Sequence, residues 1–222
     1  MVLMGRYGKR FLAAVGLLSL TDVGLWLVRL LLTGTTHYSF IIWNLFLAWV
    51  SLVIAVLLIR NLKRYRWLSW QNILLSLLWL AFLPNTWYVL TDFIHIAPNG
   101  EISQLFDIVM MSLLVFSGFI LGFASLFLVH RELLARFKAL RSYALIEAII
   151  LISSFAIYLG RDLRWNSWDV ISNPGVLVNV SDQIADPFGN PRAINVTLLF
   201  FILISVLYLA FWIVTYQSKP KS

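Results

Sequence analysis

Cysteine is absent from the 222 residues. Its absence excludes disulfides, cysteine-ligated zinc, iron–sulfur clusters and thiol nucleophiles. Charge is also scarce: Asp, Glu, Lys and Arg make up 12% of the chain, about half of what a soluble domain carries. Only three histidines occur, His37, His95 and His130. The sequence has no His-Glu-x-x-His zinc helix, Gly-rich phosphate loop, dinucleotide fingerprint, kinase set or Gly-x-Ser-x-Gly nucleophile elbow. Proline is rare, and only Pro84 breaks an apolar run. The paired broken helices of many secondary transporters therefore have no match here.

What the chain does have is apolar length. Hydrophobic residues make up 61% of it, and the mean hydropathy is +0.87. They are grouped in runs of about 18 residues or more, as membrane-spanning helices require. Six runs are legible, at about 11–32, 38–59, 67–83, 105–129, 143–159 and 194–216. The expected fold is all-α: a polytopic membrane helix bundle in a single transmembrane domain over residues 1–222, with short amphipathic helices on its outer face. The first run is longer than the core of about 7–15 residues in a cleaved signal peptide. It is read as a retained span.

A net charge of +7 and a pI near 9.9 do not point to nucleic acid, because the cations sit in short loops between spans. Thirteen Lys and Arg fall on one side: the N-terminal cluster, the 60–66 and 131–141 loops, and the C-terminal tail. Three fall on the other, Arg161, Arg164 and Arg192, while Arg29 lies within a span. By the positive-inside rule both termini are cytoplasmic. Most acids lie opposite, at Asp92, Glu101, Asp107, Asp162, Asp169, Asp182 and Asp186. The rule does not require acids there, so their excess needs its own explanation.

Two outer segments are long and polar. In the first, Pro84 removes a backbone donor, and Asn85 and Thr86 then stand where a new helix would be capped. On that helix Tyr88, Thr91, Asp92 and His95 share one face, with Val89, Leu90, Phe93 and Ile94 on the other. Either this face lies in water as an interfacial helix, or Asp92 and His95 look into a shared polar site. Two ligands one turn apart do not by themselves specify a metal.

The second segment continues from the fifth span through Tyr158, Gly160, Arg161, Asp162, Arg164, Trp165, Asn166, Trp168 and Asp169. If the helix persists, Tyr158, Asp162, Asn166 and Asp169 share a face; Gly160 would otherwise end it. Arg161 and Arg164 carry planar forks suited to carboxylate or phosphate. They would clamp an anionic ligand, or pair with acids such as Asp92.

Within the spans, Asp22 needs a partner or a proton. Arg29 lies seven residues later on nearly the same face, and helical side chains lean toward the N-terminus, here toward Asp22. The other arrangement has Arg29 reaching outward and Asp22 bonding to a neighbouring span. Glu147 is read as reaching the interface, Asn44 and Asn72 as interhelical hydrogen-bond groups, and His130 as part of a basic loop.

The stretches Pro84–Asp92 and Tyr158–Asp169 resemble an uncharacterised bacterial integral-membrane family, domain of unknown function 1361. The resemblance implies a bacterial plasma (inner) membrane protein and brings no activity with it.

Three functions stay open. The first is an extracytoplasmic site for an anionic or lipid-linked envelope substrate. There Asp92, Asp162 and Asp169 would be candidate acid–base residues or hold a divalent cation, and Asn85, Tyr88, Arg161, Arg164, Asn166 and Trp168 would be candidate binding residues. The second is a small transporter or channel using Asp22 and Arg29. The third is a structural or assembly partner in the bilayer.

Overall fold

The computed structural model describes residues 6–97, 100–162 and 190–216, and every regular element among them is helical. The order is α1 (Arg6–Thr33), α2 (Phe40–Asn61), α3 (Trp70–Phe82), α4 (Asn85–Tyr88), a 3-10 helix (Val89–His95), α5 (Gln104–Leu134), α6 (Ala139–Asp162) and α7 (Pro191–Thr215). Six segments are long and apolar enough to cross a membrane: Gly8–Thr33, Phe40–Asn61, Trp70–His95, Gln104–Leu134, Ala139–Asp162 and Pro191–Thr215. They overlie the six apolar runs. Hydrocarbon offers no partner to backbone N–H and C=O groups, so an apolar run that enters it must satisfy them internally as a helix. Outward-facing side chains such as Leu31 and Val214 are at least 80% exposed, an arrangement that lipid solvates and water does not.

The ends follow local chemistry. Gly34 adopts a positive φ of 68°, and its N–H reaches the Leu30 carbonyl at 2.8 Å, closing α1. Asn190 caps α7 by accepting from the Ala193 N–H at 3.3 Å, with Pro191 next in the chain. Two ends differ from expectation. α6 runs through Gly160 to Asp162, and α5 continues to Leu134. The latter places His130 in a helix, not in a basic loop. Its ring is fully buried, stacks on Trp212 at 3.9 Å and meets the Tyr208 hydroxyl at 3.0 Å. Amphipathic side chains such as histidine extend a span beyond its purely apolar stretch when a neighbouring helix supplies the polar contact.

The chain divides into two compact units. One comprises residues 1–53 and 85–124, the other 54–84 and 125–222. The core of the first gathers Tyr38, Ile41, Leu45, Val89, Met110, Met111 and Leu114. Lipid tails are as apolar as leucine, so close packing and interhelical hydrogen bonds hold such helices together. The close packing shows at Gly118 and Gly122 of α5. A Cβ on Gly118 would run into the Thr86 carbonyl oxygen, and one on Gly122 into the Thr86 hydroxyl and, at 2.7 Å, the Trp87 indole nitrogen. The hydrogen bonds show in the second unit. Asn61 donates to Asn72 at 2.9 Å, Trp79 to Ser125 at 2.6 Å, and Ser205 to Glu147 at 2.7 Å. Asn72 is thus an interhelical group as expected, whereas Glu147 bonds to a neighbouring helix.

Candidate functional site

The first unit carries a polar seam along α1. Val15, Ser19, Asp22, Trp26 and Arg29 recur at alternating steps of four and three, which aligns them on one helical face. Of these, Val15, Ser19, Asp22 and Arg29 are buried. Trp49 donates its indole N–H to Ser19 at 3.0 Å.

At the end of this seam Arg29 has no solvent exposure. Its Nε donates to Asp107 at 2.8 Å and its Nη2 to Glu101 at 2.8 Å. Nη1 reaches the Thr35 hydroxyl at 3.2 Å, and the guanidinium lies 4.6 Å from the centre of the Tyr38 ring. The expected lean toward Asp22 is therefore not what forms. Two charge-assisted bonds at the helix end outweigh the rotameric tendency. Tyr38 is the one non-glycine residue with positive φ among the described residues, at 65°, and it is buried. Such a conformation costs about 1–3 kcal/mol and persists only where surroundings over-determine it. Here the ring packs under Arg29 while the hydroxyl donates to the His95 carbonyl at 3.1 Å. Hydrogen bonding from Arg29 holds the Glu101 carboxyl below its usual range, and burial, with Asp107 nearby, pushes the Tyr38 phenol up.

Asp22 is left apart. It is fully buried, and neither carboxylate oxygen has a hydrogen-bond partner among the described residues. The alternative in which Asp22 bonds to a neighbouring span is therefore not met among the described residues either.

The break at Pro84 gives α4 and then three-residue turns, not one continuous α-helix. Of the two arrangements open for the polar face, neither forms whole: part of it turns inward and His95 does not. Thr91 and Asp92 are buried, whereas Ile94 is 59% exposed and His95 is exposed. The segment sits against α5 through the two glycines, so an apolar side chain facing lipid and an acid facing the protein is the favourable arrangement. Asn44 donates to Asp92 at 2.7 Å, which makes it the interhelical group expected. Asn85 and Tyr88 are half-buried.

In the second unit, Arg161 and Asp162 are half-buried at the end of α6. Arg192, itself 72% exposed, pairs with Asp162 at 2.6 Å, and Asn190 donates to the Tyr158 hydroxyl at 2.8 Å. Arg164, Asn166, Trp168 and Asp169 lie outside the described residues. Among the described residues, no three His, Asp or Glu gather closely enough to hold a metal ion.

Glu101 and Asp107 are not legible as partners of Arg29 from local pattern, although the excess of outer acids is their signal. It also passed over Gly118 and Gly122, whose Gly-x-x-x-Gly spacing marks close helix approach. No curated protein and no solved structure matches the chain. A family model described as "Protein of unknown function (DUF1361)" matches residues 43–209. That stretch is more than half of the chain and takes in Asn44, Asp92, Asp107 and Arg161, so the chain belongs to this family.

Proposed function

We propose that this is a multi-pass protein of the bacterial plasma membrane, with both termini cytoplasmic, that binds or processes an anionic or lipid-linked envelope substrate at its extracytoplasmic face. Asp92 is the observation that carries the reading. It is a carboxylate only 4% exposed, at a break in a span, oriented by Asn44 at 2.7 Å. An acid at membrane depth costs about 2.5–3.5 kcal/mol on insertion scales and marks a functional position by default. In this reading Asp92 acts as base or polar anchor, with Asn85 and Tyr88 beside it in sequence. A second polar segment, Arg161 and Arg164 followed by Asn166, Trp168 and Asp169, is by itself suited to an anion. Asp162 has the narrower role of pairing with Arg192.

The test is binding of a long-chain polyisoprenyl phosphate to the purified protein, followed by thermal shift. Stabilisation by this probe should be lost in Asp92→Asn and in Arg161→Gln, with circular dichroism unchanged. Full stabilisation of both variants would refute the assignment.

A second reading is favoured by Asp22, whose buried oxygens have no hydrogen-bond partner among the described residues. A lone carboxylate in a span needs a proton or a cation to neutralise it, as a small transporter would supply in turnover. Proteoliposomes should then take up protons in a manner that Asp22→Asn abolishes. Equal uptake by the variant would remove this reading.

A further inference from the structure

The second unit holds a groove of about 470 Å³ between α2, α3, α5 and α6. Its walls are aliphatic and aromatic, with Leu58, Leu80, Val129, Leu133 and Ile149 among them, and Ser76 as the small polar member. Its other lining residues include Trp67, Leu68 and Phe137. Trp67 and Leu68 directly follow Arg66, and Phe137 stands between Arg136 and Lys138. An apolar slot thus opens between two basic loops.

Arg136 ties those loops together. Its guanidinium bonds Glu132 at 2.7 Å and the Leu62 carbonyl at 3.3 Å, and it lies 5.4 Å from the centre of the Trp67 ring. That uses the acid carried by this end of the unit. The remaining cations, Arg60, Lys63, Arg64, Arg66, Arg131, Lys138 and Arg141, are exposed. The groove is apolar along its walls and cationic at the rim, which complements a molecule with an apolar tail and a negative head. Basic pockets between membrane helices recognise anionic lipid headgroups in this way.

We infer that this groove is a binding site for one acyl chain of an anionic phospholipid, whose headgroup is held by the exposed arginines and lysines of the two loops. The positive-inside rule alone accounts for cations in these loops but not for an apolar slot opening between them. The inference does not depend on the proposed extracytoplasmic site.

Native mass spectrometry of the full chain, extracted in detergent and exposed to equal amounts of phosphatidylglycerol and phosphatidylcholine of the same chain length, tests it. Phosphatidylglycerol should be retained preferentially. Each of Arg66→Gln and Lys138→Gln, both at exposed positions, should weaken that retention about fivefold, the factor for about 1 kcal/mol per cation. Ser76→Phe should abolish it by filling the slot. The charge variants keep the test valid if Ser76→Phe does not fold. Equal retention of both lipids, retention of neither, selective retention that survives a folded Ser76→Phe, or displacement of lipid by a second copy of the chain would each overturn the assignment.

Discussion

At Arg29 a guanidinium with no exposed surface meets two carboxylates, each at 2.8 Å, and the two are not equivalent. The Asp107 side chain is 2% exposed and that of Glu101 is 28% exposed. Neutralising the buried partner leaves a buried charge with less compensation, a loss of about 3–5 kcal/mol. Asp107→Asn should therefore unfold in detergent at much lower temperature or denaturant than the parent, and Glu101→Gln should lose distinctly less. Acid adds a second signature. The Glu101 carboxyl is held below its ordinary value of 4.5, chiefly by the bond from Arg29. The unfolded chain then binds the proton at higher pH than the folded one. The contribution of this pair is complete above about pH 4.5 and fades as pH falls through the lowered value. The fall should be shallower in Glu101→Gln, and an identical acid profile in parent and variant would show that the pair is not coupled to folding. The sequence showed Arg29 as an intramembrane charge but not its partners. Glu101 and Asp107 stand 72 and 78 residues away, and the spacing of Asp22 and Arg29 marks one face of α1 without saying what packs against it.

Among the elements, α4 and the following 3-10 helix are positioned by what α5 lacks. Thr86 and Trp87 occupy the space where side chains would stand at Gly118 and Gly122. Gly122→Ala should destabilise the protein by about 1–3 kcal/mol, as overpacking does. Gly24→Ala in α1 is the matched control. A Cβ there meets nothing within 4 Å, and helix propensity favours alanine by about 1 kcal/mol. Thermal unfolding should move in opposite directions for the two, and a shift of the same sign in both would show that the contact at Gly122 does not govern the packing. The six apolar runs were legible because the bilayer imposes one solution on any apolar stretch of that length. The interior of the Pro84 segment was not. Its face assignment assumed α-helical turns and left open whether the polar side met water or a protein interior, whereas after Tyr88 the backbone tightens, Asp92 turns inward and His95 stays exposed. His130 was misplaced for a related reason: its partners Tyr208 and Trp212 lie in the last helix, beyond the reach of local pattern.

For the molecule as a whole, orientation is the property on which the functional proposal depends. The proposal takes both termini as cytoplasmic, because thirteen Lys and Arg lie on one side against three on the other. In that orientation the segments between α1 and α2 and between the 3-10 helix and α5 would face outward. Because the chain has no cysteine, a single introduced thiol reports its own location without background. Thr36 and Lys138 are both exposed, and neither takes part in the contacts around Arg29 or Asp92. In intact cells a membrane-impermeant maleimide should label Thr36→Cys and leave Lys138→Cys untouched until the membrane is permeabilised. The reverse pattern would put Asp92 and the Arg29 cluster on the cytoplasmic side and remove an envelope substrate from consideration. Labelling of both from one side would contradict the odd number of crossings that α2, the α3–3-10 segment and α5 require between these positions. The excess of outer acids also becomes explicable in the expected orientation. Glu101 and Asp107 are needed where α1 brings a buried arginine to its outer end, so part of the charge asymmetry is a packing requirement of one cation and not a topology signal.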